Sequence, residues 1–244
     1  MNFDRRLLAC SLPLVMLSVP AMQGVAAPEV AAECGTIQIL SEALSKREAE
    51  TYCRYAVEER KKVEAFWGAT WKETIRVHVD PSYRISRALV PAHFGNRGLV
   101  EMPLRGVRNS DGALLHEIVH IYAPNDNRFL AEGLAVYAHQ KLAGNRAFPN
   151  FGRALDGEAR GRLSAIESIE GLNGVRTPTP LGTVLREQDA YVLAGSFVGF
   201  LIERYGLEDF RKLYENGSYE AAYGKPLSAL EKEWRLELLN GNRR

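Results

Sequence analysis

Residues 113 to 122 read ALLHEIVHIY, and no other stretch of the 244-residue chain narrows the possible folds as far. On an α-helix His116 and His120 lie four positions apart, on one face and one turn above the other, where their ring nitrogens can converge on a single ion. Glu117 is turned to the side, where a carboxylate can take a proton from water at a metal without becoming a ligand itself. Leu114, Leu115, Ile118, Val119, Ile121 and Tyr122 are the uncharged neighbours that a buried helix with one polar face requires. Two surface histidines on an ordinary helix leave those neighbours unexplained.

A catalytic zinc uses three protein ligands and keeps one position open, so one more donor must follow His120. Asn109, Ser110 and Asp111 are N-cap types that start the HEIVH helix about one turn before His116, and Pro124 stops it. After a polar turn, Arg128 to Leu142 (RFLAEGLAVYAHQKL) reads as a second helix ended by Gly144. Glu132 is the best third donor. It sits among Leu130, Ala131, Gly133, Leu134 and Ala135, and a carboxylate buried there needs a cation; the alternative is a carboxylate paired with a buried arginine or capping a neighbour. Asp126 stands where a metzincin-like pattern places its third ligand. The glycine of that pattern is Ala123 here, however, Pro124 follows it, and no methionine occurs after Met102. His139 lies two turns beyond Glu132, roughly 10 Å along the helix, too far for the same ion. It fits better as a contact behind the ligands or as a surface residue. His78 falls on the polar side of a strand and His93 in a loop; ordinary surface roles suit both.

The N-terminus reads as a signal peptide over residues 1–26. Arg5 and Arg6 precede the apolar run Leu7 to Val19, and Gly24-Val25-Ala26-Ala27 offers the small residues of a cleavage site. The run is short for a membrane span and is interrupted by Pro13 and Pro20, so no stable membrane insertion is expected once it is removed. The chain is then exported, either periplasmic or secreted. Cys10 leaves with the signal, and the remaining pair, Cys34 and Cys53, is expected to form one disulfide contributing on the order of 3 kcal/mol. A formal charge of +1, with no Lys/Arg cluster, gives no basis for a nucleic-acid partner. Nothing in the sequence specifies an oligomer.

Residues 27–72 form an N-terminal helical segment, with an amphipathic helix from Glu42 to Trp67 stopped by Gly68. Residues 73–240 form the main domain. Thr74 to Asp80 alternates as a half-buried strand, Arg87 to Gly98 reads as irregular loop, and Arg97 to Leu104 as an extended segment. As an edge strand beside the HEIVH helix, that segment can take an extended peptide by strand addition. Glu158 to Leu172 reads as a helix and Thr177-Pro178-Thr179-Pro180 as a rigid connector. Asp189 to Tyr205 reads as a buried central helix in which Ala190 to Ile202 carries no charge, and Gly195 and Gly199 admit another backbone closely. Helices over Leu207 to Tyr214 and Leu227 to Leu239 finish an α+β, mostly helical chain with a small sheet before the HEIVH helix.

With these motifs in hand, the chain resembles the gluzincin metallopeptidases of the peptidase-MA-like superfamily, particularly their small exported bacterial members. The resemblance rests on HEIVH (116–120), FLAEGLAVY (129–137), AGSFVGFLIERYG (194–206) and YGKPLSALEKEW (223–234). It implies a zincin-like catalytic domain and one Zn2+ ion held by His116, His120 and Glu132. It also implies Glu117 as general base and a peptide or protein substrate hydrolysed by activated water. One departure concerns the thermolysin-like branch, where an Asp four residues after the ligand Glu orients a histidine. Val136 stands there, so any such partner for His116 comes from elsewhere. An oxyanion-stabilising donor is expected from Tyr191 or Tyr137. Two other readings keep the fold: a catalytically inactive exported binding or assembly module, and a zinc hydrolase acting on a non-peptide or cell-wall amide.

Overall fold

The computed structural model describes residues 29–89 and 98–241; the signal segment expected over 1–26 and His93 lie outside them. A five-stranded sheet opens the chain: β1 (Val30–Cys34), β2 (Ile37–Leu40), β3 (Ile75–Asp80), β4 (Arg87–Leu89) and β5 (Leu99–Pro103). Its spatial order is β1-β2-β3-β5-β4, parallel across β2, β3 and β5 and antiparallel at both edges. Alternation sets the faces. Ile37, Ile39, Ile75, Val77, Val79, Val100 and Met102 are buried, whereas Arg76, His78 and Asp80 turn to the other side. His78 accordingly meets the nearby Tyr83, whose hydroxyl is 2.8 Å from its Nδ1.

Helix α1 (Lys46–Trp67) begins at Ser45, whose hydroxyl accepts from the Glu48 amide while the Glu48 carboxylate accepts from the Ser45 amide. That reciprocal cap is worth about 1 kcal/mol. It explains why the helix starts at Lys46 rather than at Glu42. Cys53 on α1 is bonded to Cys34 on β1, with the two Cα atoms 6.0 Å apart. The helix thus lies on the same sheet that β3 and β5 complete, and β1 and β2 are strands of it that the sequence pattern does not announce.

Past the sheet the chain is helical: α2 (Leu104–Asn109), α3 (Leu114–Tyr122), α4 (Arg128–Leu142), α5 (Leu155–Arg160), α6 (Glu170–Asn173) and α7 (Glu187–Tyr205). Three more follow: α8 (Leu207–Asn216), α9 (Tyr219–Tyr223) and α10 (Leu227–Asn240). Among the described residues no helix is long and apolar enough to cross a membrane.

Three sequence expectations are corrected. Asn109 does not cap the HEIVH helix but ends α2, and Ser110, at φ 57°, turns the chain out of it. The amides of Asp111 and Gly112 then both bond to the Gly106 carbonyl, and α3 begins at Leu114 without a side-chain cap. The turn is so tight that a Cβ on Gly112 would stand 2.6 Å from the Met102 methyl. Secondly, the extended segment is interior: β5 lies between β3 and β4, and among the described residues the edge on that side is β4, within the stretch read as loop. Thirdly, Glu158 to Leu172 is not one helix. The first helix ends at Gly161, leaving α5, a 3-10 turn at Leu163–Ala165, and α6.

Candidate metal centre

The site is assembled by α3, the turn after it, and α4. Helix α3 is held against α1 through Tyr122, whose hydroxyl donates to Glu64 (2.7 Å) and accepts from Arg60 (2.9 Å). In the turn, Asn125 donates to the Tyr214 carbonyl (2.6 Å) and Tyr214 donates to the Ala123 carbonyl (2.8 Å). Asn127 caps α4 by accepting from the Leu130 amide. These bonds fix where α4 starts and bring its second turn opposite the two histidines.

The ring nitrogens and one carboxylate oxygen then converge. His116 Nε2 is 3.1 Å from Glu132 Oε2, His120 Nε2 is 3.3 Å from the same oxygen, and the two Nε2 atoms are 3.2 Å apart. A tetrahedral zinc with bonds of about 2.0–2.1 Å spaces its donors roughly 3.3–3.4 Å apart, so the triangle has the size of that ion's coordination face. Among the described residues, these three form the group able to hold a metal ion; neither Asp126 nor His139 joins it. The donor set, two imidazoles and one carboxylate, is that of catalytic rather than structural zinc sites.

The electrostatics are those of a buried anion facing two bases. Burial pushes the Glu132 pKa up, but His120 and His116 outweigh it and hold the carboxyl well below its usual range. Burial pushes His116 down; the Glu132 contact and the Glu117 charge overcome it, and the net displacement is upward. Glu132 therefore carries its charge 2% exposed, a position that demands positive charge beside it. Arg128, one turn earlier on α4, meets that demand at the other oxygen, with Nη2 2.6 Å from Oε1. Glu132 thus faces the two histidines with one oxygen and pairs with an arginine through the other. An Arg four residues before a helical Glu was the signal available for this pair.

Glu117 is buried beside this cluster, and its Oε2 accepts from the Ala88 amide of β4 at 2.7 Å. No side-chain pattern marks that donor, which belongs to the backbone. Tyr191, near the start of α7, lies with its ring parallel to that of His116, centroids 6.4 Å apart, and edge-on to Phe148 at 5.4 Å. Burial, and then the Glu132 charge, push its phenol far up, so it keeps its proton. Tyr137 is placed elsewhere, donating to Glu203 at 3.1 Å. His116 Nδ1 is buried with no partner among the described residues, and Val136 supplies none. His139 is also buried, not on the surface, with Nε2 2.6 Å from Asn145 Oδ1.

No protein-family model matches the chain, and no curated protein matches it. Among solved structures it is similar to a mutant of the M1 zinc metallopeptidase of Deinococcus radiodurans. That likeness has 17% identity and a TM-score of 0.49 over 85% of this chain and 49% of that one. It is also similar to the same enzyme without the mutation (18%, TM-score 0.45, covering 84% and 46%) and to a mutant bound to a Tyr-Ser-Ala substrate (19%, TM-score 0.47, covering 84% and 48%). The chain spans about half the length of these structures.

Proposed function

We propose that this chain is a zinc-dependent peptide hydrolase of gluzincin type, with one Zn2+ ion held by His116, His120 and Glu132 and with Glu117 as general base. The observation that carries the reading is the triangle of two Nε2 atoms and one carboxylate oxygen, with edges of 3.1, 3.2 and 3.3 Å. Zinc at such a site supplies Lewis acidity, polarising a carbonyl and lowering the pKa of water to about 7. Glu117, held through Oε2 by the Ala88 amide, accepts the proton of the attacking water and passes it to the leaving amine. The Tyr191 phenol, held in its protonated form beside His116, is the donor for the developing oxyanion. An extended peptide adds to the sheet at β4, the edge strand whose backbone already reaches Glu117. Removal of residues 1–26 and export to the periplasm or medium complete the reading; the Cys34–Cys53 bond fits an oxidising compartment.

The test is to measure bound zinc and cleavage of a mixed peptide library for the wild type and Glu117→Gln. One zinc per chain in both, with kcat/KM lower by about 10²–10⁴-fold in the variant, is expected. Equal activity in the two removes Glu117 from the mechanism, and a wild type without zinc removes the metal. Zinc binding without any cleavage points to a binding module, and cleavage of wall fragments but not peptides to a different amide.

A further inference from the structure

Glu132 divides its two oxygens between two different tasks. Oε2 faces both histidines, whereas Oε1 is 2.6 Å from Arg128 Nη2. Arg128 is the first residue of α4, and its place is set by backbone contacts that have nothing to do with the carboxylate. Its amide donates to the Val175 carbonyl at 3.1 Å, and the preceding Asn127 bridges to Arg176. From that anchor the side chain runs along the helix to Glu132. Its Nε is buried with no partner among the described residues, so the guanidinium is not placed to satisfy its own donors.

A free carboxylate beside a divalent ion has two equivalent oxygens and can offer both. One engaged at a single oxygen by a guanidinium favours offering the other, because that charge-assisted bond is short, about twice as strong as a neutral one, and competes with the metal for the engaged oxygen. We propose that Arg128 is a positioning residue that restricts Glu132 to one-oxygen ligation and so keeps the fourth side of the metal centre open for water and substrate. This rests on the zinc reading above, and the two can fail separately.

The experiment loads the full chain with Co2+ as a spectroscopic substitute and measures zinc affinity by competition with a chromophoric chelator. Wild type, Arg128→Met and Arg128→Lys are compared. Four-coordinate Co2+ absorbs visible light more strongly than five-coordinate Co2+. The wild type is expected to show the intense spectrum, Arg128→Met a weaker one with zinc affinity reduced about 10- to 100-fold, and Arg128→Lys, which keeps a charged donor for Oε1, a spectrum close to wild type. Arg128→Gln retains a neutral donor, serves if the methionine variant does not fold, and is expected to fall between. Spectrum and affinity unchanged in the methionine or glutamine variant overturn the role of Arg128 and leave the metal centre standing. A wild type that binds neither Co2+ nor Zn2+ overturns both.

Discussion

His139 shows how one residue's burial becomes a property of the whole chain. It lies on the same helix as Glu132, 5% exposed, and Asn145 fixes its tautomer: the Asn145 amide nitrogen donates to the Gly112 carbonyl at 2.9 Å, so Oδ1 faces His139 Nε2 and accepts from it. Burial, and then the charges of His116 and Lys62, lower its pKa to about 4 from an ordinary 6.5. The depressed value means that the folded state favours the neutral ring. Its contribution is complete above pH 6.5 and is lost as pH falls through about 4, some 3 kcal/mol over the window. In His139→Gln the fall in unfolding free energy between pH 6.5 and 4 should be shallower by about that amount, as read from urea melts at several pH values; parallel slopes remove the assignment. At this scale the sequence disclosed identities better than environments. His116, His120, Glu117 and Glu132 announce themselves by spacing and apolar neighbours, but nothing in the spacing of His139 says whether it faces Asn145 or water.

Helix α4 packs tightly against α7, and glycines permit it. A Cβ on Gly133 would stand 2.7 Å from the Ala194 carbonyl oxygen of α7, next to the residue that faces the histidines. Gly157 is the opposite case, exposed on α5, where a Cβ would meet only the Ala154 Cβ at 3.9 Å. Gly133→Ala is therefore expected to lower stability by about 1–3 kcal/mol and Gly157→Ala to raise it by about 0.5–1 kcal/mol, both measured by denaturant melts. Two shifts of the same sign contradict the packing. Long elements were legible because periodicity accumulates along them: Arg128 to Leu142 has the bounds the sequence suggests. Strand β4 was not. Three residues, Arg-Ala-Leu, carry no strand pattern, and the segment is extended because β5 offers it an edge and Glu117 offers its amide an acceptor.

For the molecule as a whole, an ion that binds the folded state and not the unfolded chain adds to stability by mass action, about 2.7 kcal/mol at a free concentration one hundred times Kd. A chelator should accordingly lower the melting temperature of the wild type and leave that of His120→Ala unchanged; equal response in both discards metal linkage. Sequence alone determined that His116 and His120 can meet one ion, because a helical repeat places residues four apart on one face whatever surrounds them. It also determined the mixed α+β character and the pairing of Cys34 with Cys53. Tertiary structure alone decided that Arg128 and the histidines take opposite oxygens of Glu132, that Ala88 holds Glu117, and that β4 rather than β5 forms the sheet edge. Those depend on where the turn at Asn125 and the end of α2 point the following helices, and small changes in turn dihedrals, which no residue pattern encodes, swing whole elements by many ångströms.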